Sequence, residues 1–226
     1  MEIIYSIVGF FAGGGAFMFP ILIVAAFGTA IAAERYVTLT RQGVKNRSAW
    51  NQVEPALTNG DFDKAREITS KDDTAISRLL SMGLARQGAV RRREDVEIAM
   101  EQSMMEIVPQ LEKRTHYLGT FANLATLLGL LGTVSGLIHA FAAVATVNPA
   151  EKANLLSASI SEAMNCTAFG LMTAVPLLFV HALLQTKTTE LINSLETASV
   201  KFLNALNDRQ QTRGQSRLAP AQAAQG

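Results

Sequence analysis

The chain has 226 residues, 49% of them hydrophobic and only 17% charged, against roughly a quarter charged in soluble globular chains, so an ordinary soluble domain is excluded. A net charge of +1 lacks the basic excess that nucleic-acid binding demands. The single cysteine, Cys166, rules out a disulfide framework and Cys-type zinc sites.

Charge placement says more than its sum. No Lys or Arg precedes Arg35, and only Lys152 falls between Thr115 and Thr186. Residues Ile3 to Phe11 are apolar but too few to span a bilayer, which takes about 20 residues. With Gly13, Gly14 and Gly15 behind them, they predict an interfacial segment and glycine hinge over 1–16, because consecutive glycines are costly inside a helix. The start has no basic n-region, so the segment is expected to stay attached and not to be cleaved as a signal peptide.

A first membrane helix is predicted over 17–36, with Pro20 in its first turn, where a missing N–H is harmless. It is apolar all round, expected to face lipid and to stop at Glu34, Arg35 and Tyr36, at headgroup level. A helical aqueous domain follows over 37–115. In it Gly60 ends one helix and Asp61 caps FDKAREIT. Asp72, Asp73 and Thr74 cap AISRLLSMGLARQG, which ends at Gly88, and Trp50 is the expected core anchor. Arg91, Arg92 and Arg93 are followed at once by Glu94, Asp95 and Glu97, so this triplet reads as a solvated helix start.

Val96, Met100, Met104, Ile107, Leu111 and Leu118 recur at threes and fours, an amphipathic face. No cap or glycine separates them from the next apolar run, so one helix is predicted from about Glu94 to about Val144, roughly 75 Å long at 1.5 Å per residue. Pro109 is a candidate kink. The second membrane helix occupies 116–145, a short loop 146–156, and the third membrane helix 157–186. Leu191, Leu195, Ala198, Phe202 and Leu206 continue the helical spacing through 187–207, and 208–226 has the composition of a disordered tail. The fold class is therefore an all-α membrane protein with three transmembrane helices, two extended far into the cytoplasm, and a helical cytoplasmic domain. By the positive-inside rule the N-terminus and the 146–156 loop lie outside, and the long loop and C-terminal tail lie inside.

Neither half of the apolar hairpin is uniform. At about 100° per residue, Ala122, Ala125, Thr126, Gly129, Gly132, Thr133, Gly136 and Ala140 share one face, with leucines opposite. Gly132 and Gly136 form a small-xxx-small pair that allows close backbone approach. On the third helix Ser159, Glu162, Ala163, Cys166, Thr167, Gly170, Thr173 and Ala174 share a stripe. Thr133 lies about 15 residues in from the cytoplasmic end, roughly 22 Å up, and Thr167 about five residues below the outer end, roughly 8 Å down. In an apolar core of about 30 Å these heights coincide. Two hydroxyls at one level mark a place for something polar, although an intramembrane Thr also commonly bonds the carbonyl four residues back. Glu162, near the outer mouth, is either a headgroup-level residue or functional; an ionisable group at that height defaults to the second. His139 and His181 read as lying off the small faces, as interfacial or helix-contact residues, Asn165 as pointing to the bulky side and toward a neighbouring subunit, and Cys166 as a packing residue.

The stretch ANLATLLGLLGTVSGLIHAF resembles the second membrane helix of the MotA/TolQ/ExbB proton-channel family, whose signature runs much like P-L-L-G-L-L-G-T-V-x-G-M. SISEAMNCTAFGLMTAVP resembles the third, close to G-I-x-E-A-L-x-x-T-A-x-G-L-x-x-A-I-P. AIAAERYVTL and GDFDKA also look like ExbB-type members, and the likeness covers roughly Phe17 to Asn207. Ala125 stands where the family has Pro, and Asn165-Cys166 where small or β-branched residues are usual. The resemblance implies an inner-membrane proton-channel subunit, typically a homopentamer, around the membrane helix of an ExbD/TolR-like partner whose aspartate carries the proton. Thr133 and Thr167 match the family's pore threonines and Glu162 its acidic residue on the third helix. It further implies conversion of proton motive force into work on an envelope machine, such as TonB-dependent transport through a TonB-like protein, or TolQ-like envelope constriction. The residues alone also fit a non-conducting membrane scaffold. A flagellar stator subunit is disfavoured, having four membrane helices. With no phosphate-binding Gly loop, no HExxH and no Ser/His/Asp set at one depth, neither an enzyme nor a cofactor or metal site is expected.

Overall fold

Helix α1 runs from Met18 to Thr58 as one element, well beyond Tyr36, where the apolar stretch ends. The charged pair Glu34–Arg35 marks the end of the apolar sequence but carries no helix breaker. Gly43 is tolerated further on, where a Cβ would meet only Leu191 Cδ2 at 3.5 Å. The computed structural model describes residues 13–89 and 93–223, with side chains at 13–86 and 93–209. Among these residues every regular element is α-helical: α1, α2 (Phe62–Lys71), α3 (Ala75–Ala89), α4 (Arg93–Glu112), α5 (Thr115–Thr146) and α6 (Lys152–Ala223). The interfacial helix expected at Ile3–Phe11 and the Arg91–Arg92 part of the basic triplet lie outside the described residues. Three spans hold a stretch long and apolar enough to cross a membrane: Met18–Thr58, Arg93–Thr146 and Lys152–Arg209.

The expected helix from Glu94 to Val144 is interrupted once. Arg114 adopts a left-handed conformation, φ 66°, between α4 and α5. Such a backbone costs a non-glycine residue about 1–2 kcal/mol, and tertiary contacts offset it. Arg114 Nη1 donates to both carboxylate oxygens of Glu34, at 2.8 and 2.9 Å. Thr115, the first residue of α5, accepts from Arg35 Nε at 3.3 Å. No local signal announces this break, because the residues that stabilise it are 80 positions away. α6 likewise runs past Asn207 to Ala223, where composition predicted a disordered tail; its Gln, Arg and Ala residues are good helix formers.

The chain divides into two compact units, Met1–Tyr36 with Arg114–Gln185 and Val37–Lys113 with Thr186–Gly226. In the second unit the turn before α2 is a Schellman stop, with Gly60 at φ +71°, Asp61 N donating to Ala56 O at 2.9 Å and Gly60 N to Leu57 O at 3.0 Å. Asp61 Oδ1 then caps α2 by accepting from Lys64 N at 3.1 Å, and Thr74 Oγ1 accepts from Ser77 N to start α3. Val96, Met100, Ile107 and Leu111 of α4 and Leu191, Leu195, Ala198, Phe202 and Leu206 of α6 are buried, as their periodicity predicts. The core anchor is not Trp50, which is half-buried. Trp50 lines an open groove of about 690 Å³ with Leu39, Val44 and Leu191 and carries Lys201 Nζ 5.2 Å from its ring centroid. Phe202 holds the centre instead. It is fully buried, stands edge-on to Phe62 at 6.2 Å, and fills the space where a Cβ on Gly83 would come within 2.6 Å of its ring. Phe202→Ala should lower unfolding stability by about 3–5 kcal/mol and Phe202→Leu by much less, read from denaturant unfolding in detergent.

Candidate functional site

The first unit brings together the start of α1, α5 and the first part of α6. In a bilayer, lipid tails solvate leucine as well as a neighbouring helix does, so close packing and polar contacts must hold helices together. The sequence supplies small residues on facing sides. A Cβ on Gly129 would sit 3.3 Å from the Cα atoms of both Gly170 and Thr167, and one on Gly170 would sit 2.7 Å from the Ala125 carbonyl oxygen. Gly132 faces Cys166, whose Cβ would be 3.1 Å from an added one, and Gly136 faces Ala163. Ala122, Ala125, Gly129, Gly132 and Ala140 on α5, and Ala163, Cys166, Gly170, Thr173 and Ala174 on α6, are accordingly buried. Leu127, Leu130, Leu131 and Ile138 on α5, with Met164, Leu171, Val175 and Phe179 on α6, turn outward.

Most of the small face is thus used in contact between two helices of one chain. What remains polar at its edge is a short series of hydroxyls. Thr133 and Thr167 are half-buried and their Oγ1 atoms lie 2.7 Å apart. Each hydroxyl has one proton, and three acceptors compete for the two. Thr167 Oγ1 lies 2.8 Å from Gly129 O on the other helix. Thr133 Oγ1 lies 3.2 Å from Gly129 O and 2.9 Å from Leu130 O on its own. The back-bond common to intramembrane threonines therefore coexists with a link across the helices. Thr126 is exposed and donates to Ala122 O at 3.1 Å.

Glu162 lies about one and a half turns from Thr167 toward the N-terminal end of α6, exposed to one side and covered on the other by the loop at Gly15. Asn165 makes a bond within the chain, its Nδ2 donating to Gly13 O at 3.4 Å. Cys166 is buried against Gly132, a packing position. His139 is exposed.

His181 makes a helix contact, one of the two roles expected of it. It is half-buried and packs over Gly119 of α5, with Nε2 3.3 Å from where a Cβ would stand. Its Nδ1 lies 3.0 Å from Thr115 O; a carbonyl only accepts, so Nδ1 carries the proton. Thr115 also receives Arg35, which is 5% exposed. Glu34, Arg35, Arg114, Thr115 and His181 therefore tie α1, α5 and α6 at one end of the bundle. Sequence reading took Glu34–Arg35 as a membrane-exit marker and missed this knot. The available signal was the fourteen-residue step from Thr167 to His181, which is close to four full turns.

Among the described residues no group of His, Cys, Asp and Glu is placed to hold a metal ion. The arrangement groups two hydroxyls and two backbone carbonyls at one level of α5 and α6, with the Glu162 carboxylate about one and a half turns away along α6.

The sequence profile of the MotA/TolQ/ExbB proton channel family matches residues 71–197. A putative biopolymer transport protein, ExbB-like 1, from Synechocystis sp. is 31% identical over 180 residues, 77% of this chain and 68% of that protein. The Tol-Pal system protein TolQ of Haemophilus influenzae is 31% identical over 106 residues, 47% of this chain and 44% of that protein. TolQ of Pseudomonas aeruginosa is 29% identical over 176 residues, 77% and 69% respectively.

The glycine contacts differ in what they tolerate. Gly170→Ala drives a methyl into the Ala125 carbonyl and should cost about 1–3 kcal/mol. Gly43→Ala, with only a leucine methyl in ordinary contact, should be neutral or stabilising by up to about 1 kcal/mol. Thermal unfolding of the two purified variants in the same detergent separates these outcomes.

Proposed function

The chain belongs to the MotA/TolQ/ExbB proton channel family, and we propose on that footing that it is the ring-forming subunit of a proton-driven motor in the bacterial inner membrane. It is a multi-pass membrane protein, and its class is a channel and motor subunit. The observation that carries the finer reading is the Thr133–Thr167 hydroxyl pair, 2.7 Å apart across α5 and α6. Between Leu118 and Leu184 the only acidic residues are Glu151, in the loop, and Glu162, near the outer end. A hydroxyl does not exchange protons with neutral water readily enough to act as a titrating relay. The acid must therefore come from another chain, and an ExbD/TolR-like helix bearing an intramembrane aspartate supplies it.

In this reading several copies, five by family resemblance, surround the partner helices. Thr133 and Thr167 stand at the level of the partner's carboxyl and hydrogen-bond it in both its protonated and ionised forms. Glu162 collects protons at the outer mouth. A partner carboxyl that is neutral can move through an apolar ring, while an ionised one is held at polar sites, because burying an unpaired carboxylate is costly. Alternate protonation and release then displaces the partner in steps, and the work is delivered outside the membrane. The N-terminus and the Val147–Glu151 loop face the periplasm, and the C-terminal end of α6 faces the cytoplasm, as the Lys/Arg distribution favours. Energising transport in the manner of an ExbB-type protein is the first reading of the machine. The TolQ relatives favour envelope constriction as the second.

Thr133→Val and Thr167→Val keep side-chain shape and remove the hydroxyl. Each should abolish proton-driven activity while complex assembly, followed by co-purification with the partner, survives. Full activity in both variants overturns the ion-path reading.

A further inference from the structure

The three glycines before α1 lie at the edge of the site, against Glu162, the one carboxylate in the apolar span of α6. Gly15 has φ +73°, a backbone that side chains rarely adopt. A Cβ built on it would run into Glu162 Oε1, with Glu162 Cδ at 3.2 Å and Cγ at 3.4 Å. Two residues earlier Gly13 O accepts from Asn165 Nδ2 at 3.4 Å, one helical turn along α6. Two residues later Phe17 packs on α5, its Cβ 3.3 Å from where a Cβ on Gly132 would be. The segment Gly13–Phe17 thus touches α6 at Glu162 and Asn165 and α5 at Gly132, spanning both helices that carry the threonine pair.

We propose that this glycine loop is the positioning element for Glu162. The absence of a side chain at Gly15 lets the carboxylate lie flat against the loop backbone, and the Asn165–Gly13 bond holds the loop there. The loop therefore decides where the carboxyl points and how much of it solvent reaches. This rests on the reading of Glu162 as part of the ion path only for its functional consequence. The geometry itself is independent of it. A methyl at position 15 meets the mobile end of a long side chain, so the carboxylate yields and the backbone of α6 does not. Loop strain alone is measured elsewhere in the same chain: Gly60 has φ +71° with nothing within 4 Å of its would-be Cβ, so Gly60→Ala carries the strain without the displacement.

The test uses the full-length protein with its partner in isolated membranes and two readouts. The first is the rate at which the apolar reagent dicyclohexylcarbodiimide modifies Glu162, followed by peptide mass spectrometry. Gly15→Ala should raise that rate several-fold, and Asn165→Ala, which frees the loop without adding bulk, should raise it in the same direction. Gly60→Ala should leave it unchanged. The second readout is proton-driven activity. Gly15→Ala should lose it, and adding Glu162→Asp, which withdraws the carboxylate by one methylene, should restore a large part. Wild-type labelling in both Gly15→Ala and Asn165→Ala overturns the proposal, as does an equal change in Gly60→Ala. If labelling rises while activity is untouched, the positioning stands and the role of Glu162 in the ion path fails. If the threonine variants abolish activity while labelling never moves, the reverse holds.

Discussion

The contact of Gly129 with Gly170 is the constraint on which the rest of the membrane unit depends. Two helix backbones approach until an added methyl on either would touch the main chain of the other. Only at that separation can a threonine on α6 reach a carbonyl on α5, as Thr167 does at Gly129. Only there, too, can its hydroxyl meet Thr133. A larger residue at either glycine would replace a polar junction with ordinary apolar packing. The same closeness explains the small neighbours, Ala122, Ala125, Ala163 and Ala174, all buried. Packing in lipid rewards close approach more than bulk, so the leucines are left to the outer faces.

The two ends of the unit are closed differently. At one end a charged and hydrogen-bonded knot joins Glu34, Arg35, Arg114, Thr115 and His181. Arg35 is almost wholly buried, and a buried cation needs partners to offset its lost hydration. The Glu34–Arg114 pair is about half exposed, so it adds little stability by itself. Its contribution is directional, since it accompanies the left-handed turn that starts α5. At the other end the glycine loop covers α6 with almost no side chains. One end is locked by specific polar bonds, and the other is shaped by their near absence, where a carboxylate has room to lie.

Periodicity and residue size carried much of this architecture. The three apolar spans, the caps at Asp61 and Thr74, the buried stripe of α6 and the small faces of the hairpin follow from local rules, because each depends on neighbours within one or two turns. The level of Thr133 with Thr167 came from counting residues inward from the two membrane surfaces. The family motifs sit on those same faces, so the resemblance and the physical pattern point to the same residues.

Other features needed the folded chain. That α1 continues past Tyr36 could not be told from a charged pair that ends an apolar stretch without breaking a helix. The turn at Arg114 is stabilised by partners far away in sequence, against its own backbone preference. Trp50 looked like a core residue for its size, yet Phe202 took the centre because Gly83 and Phe62 leave a space of its shape. The glycines at 13–15 read as a hinge, and nothing in the sequence places Gly15 against Glu162, 147 residues further on. By itself the sequence determined which faces are apolar, small or polar, since helical periodicity makes those properties local. Only the tertiary structure decided which of those faces meet and which distant groups offset a strained turn, since these depend on shapes brought together from separate parts of the chain.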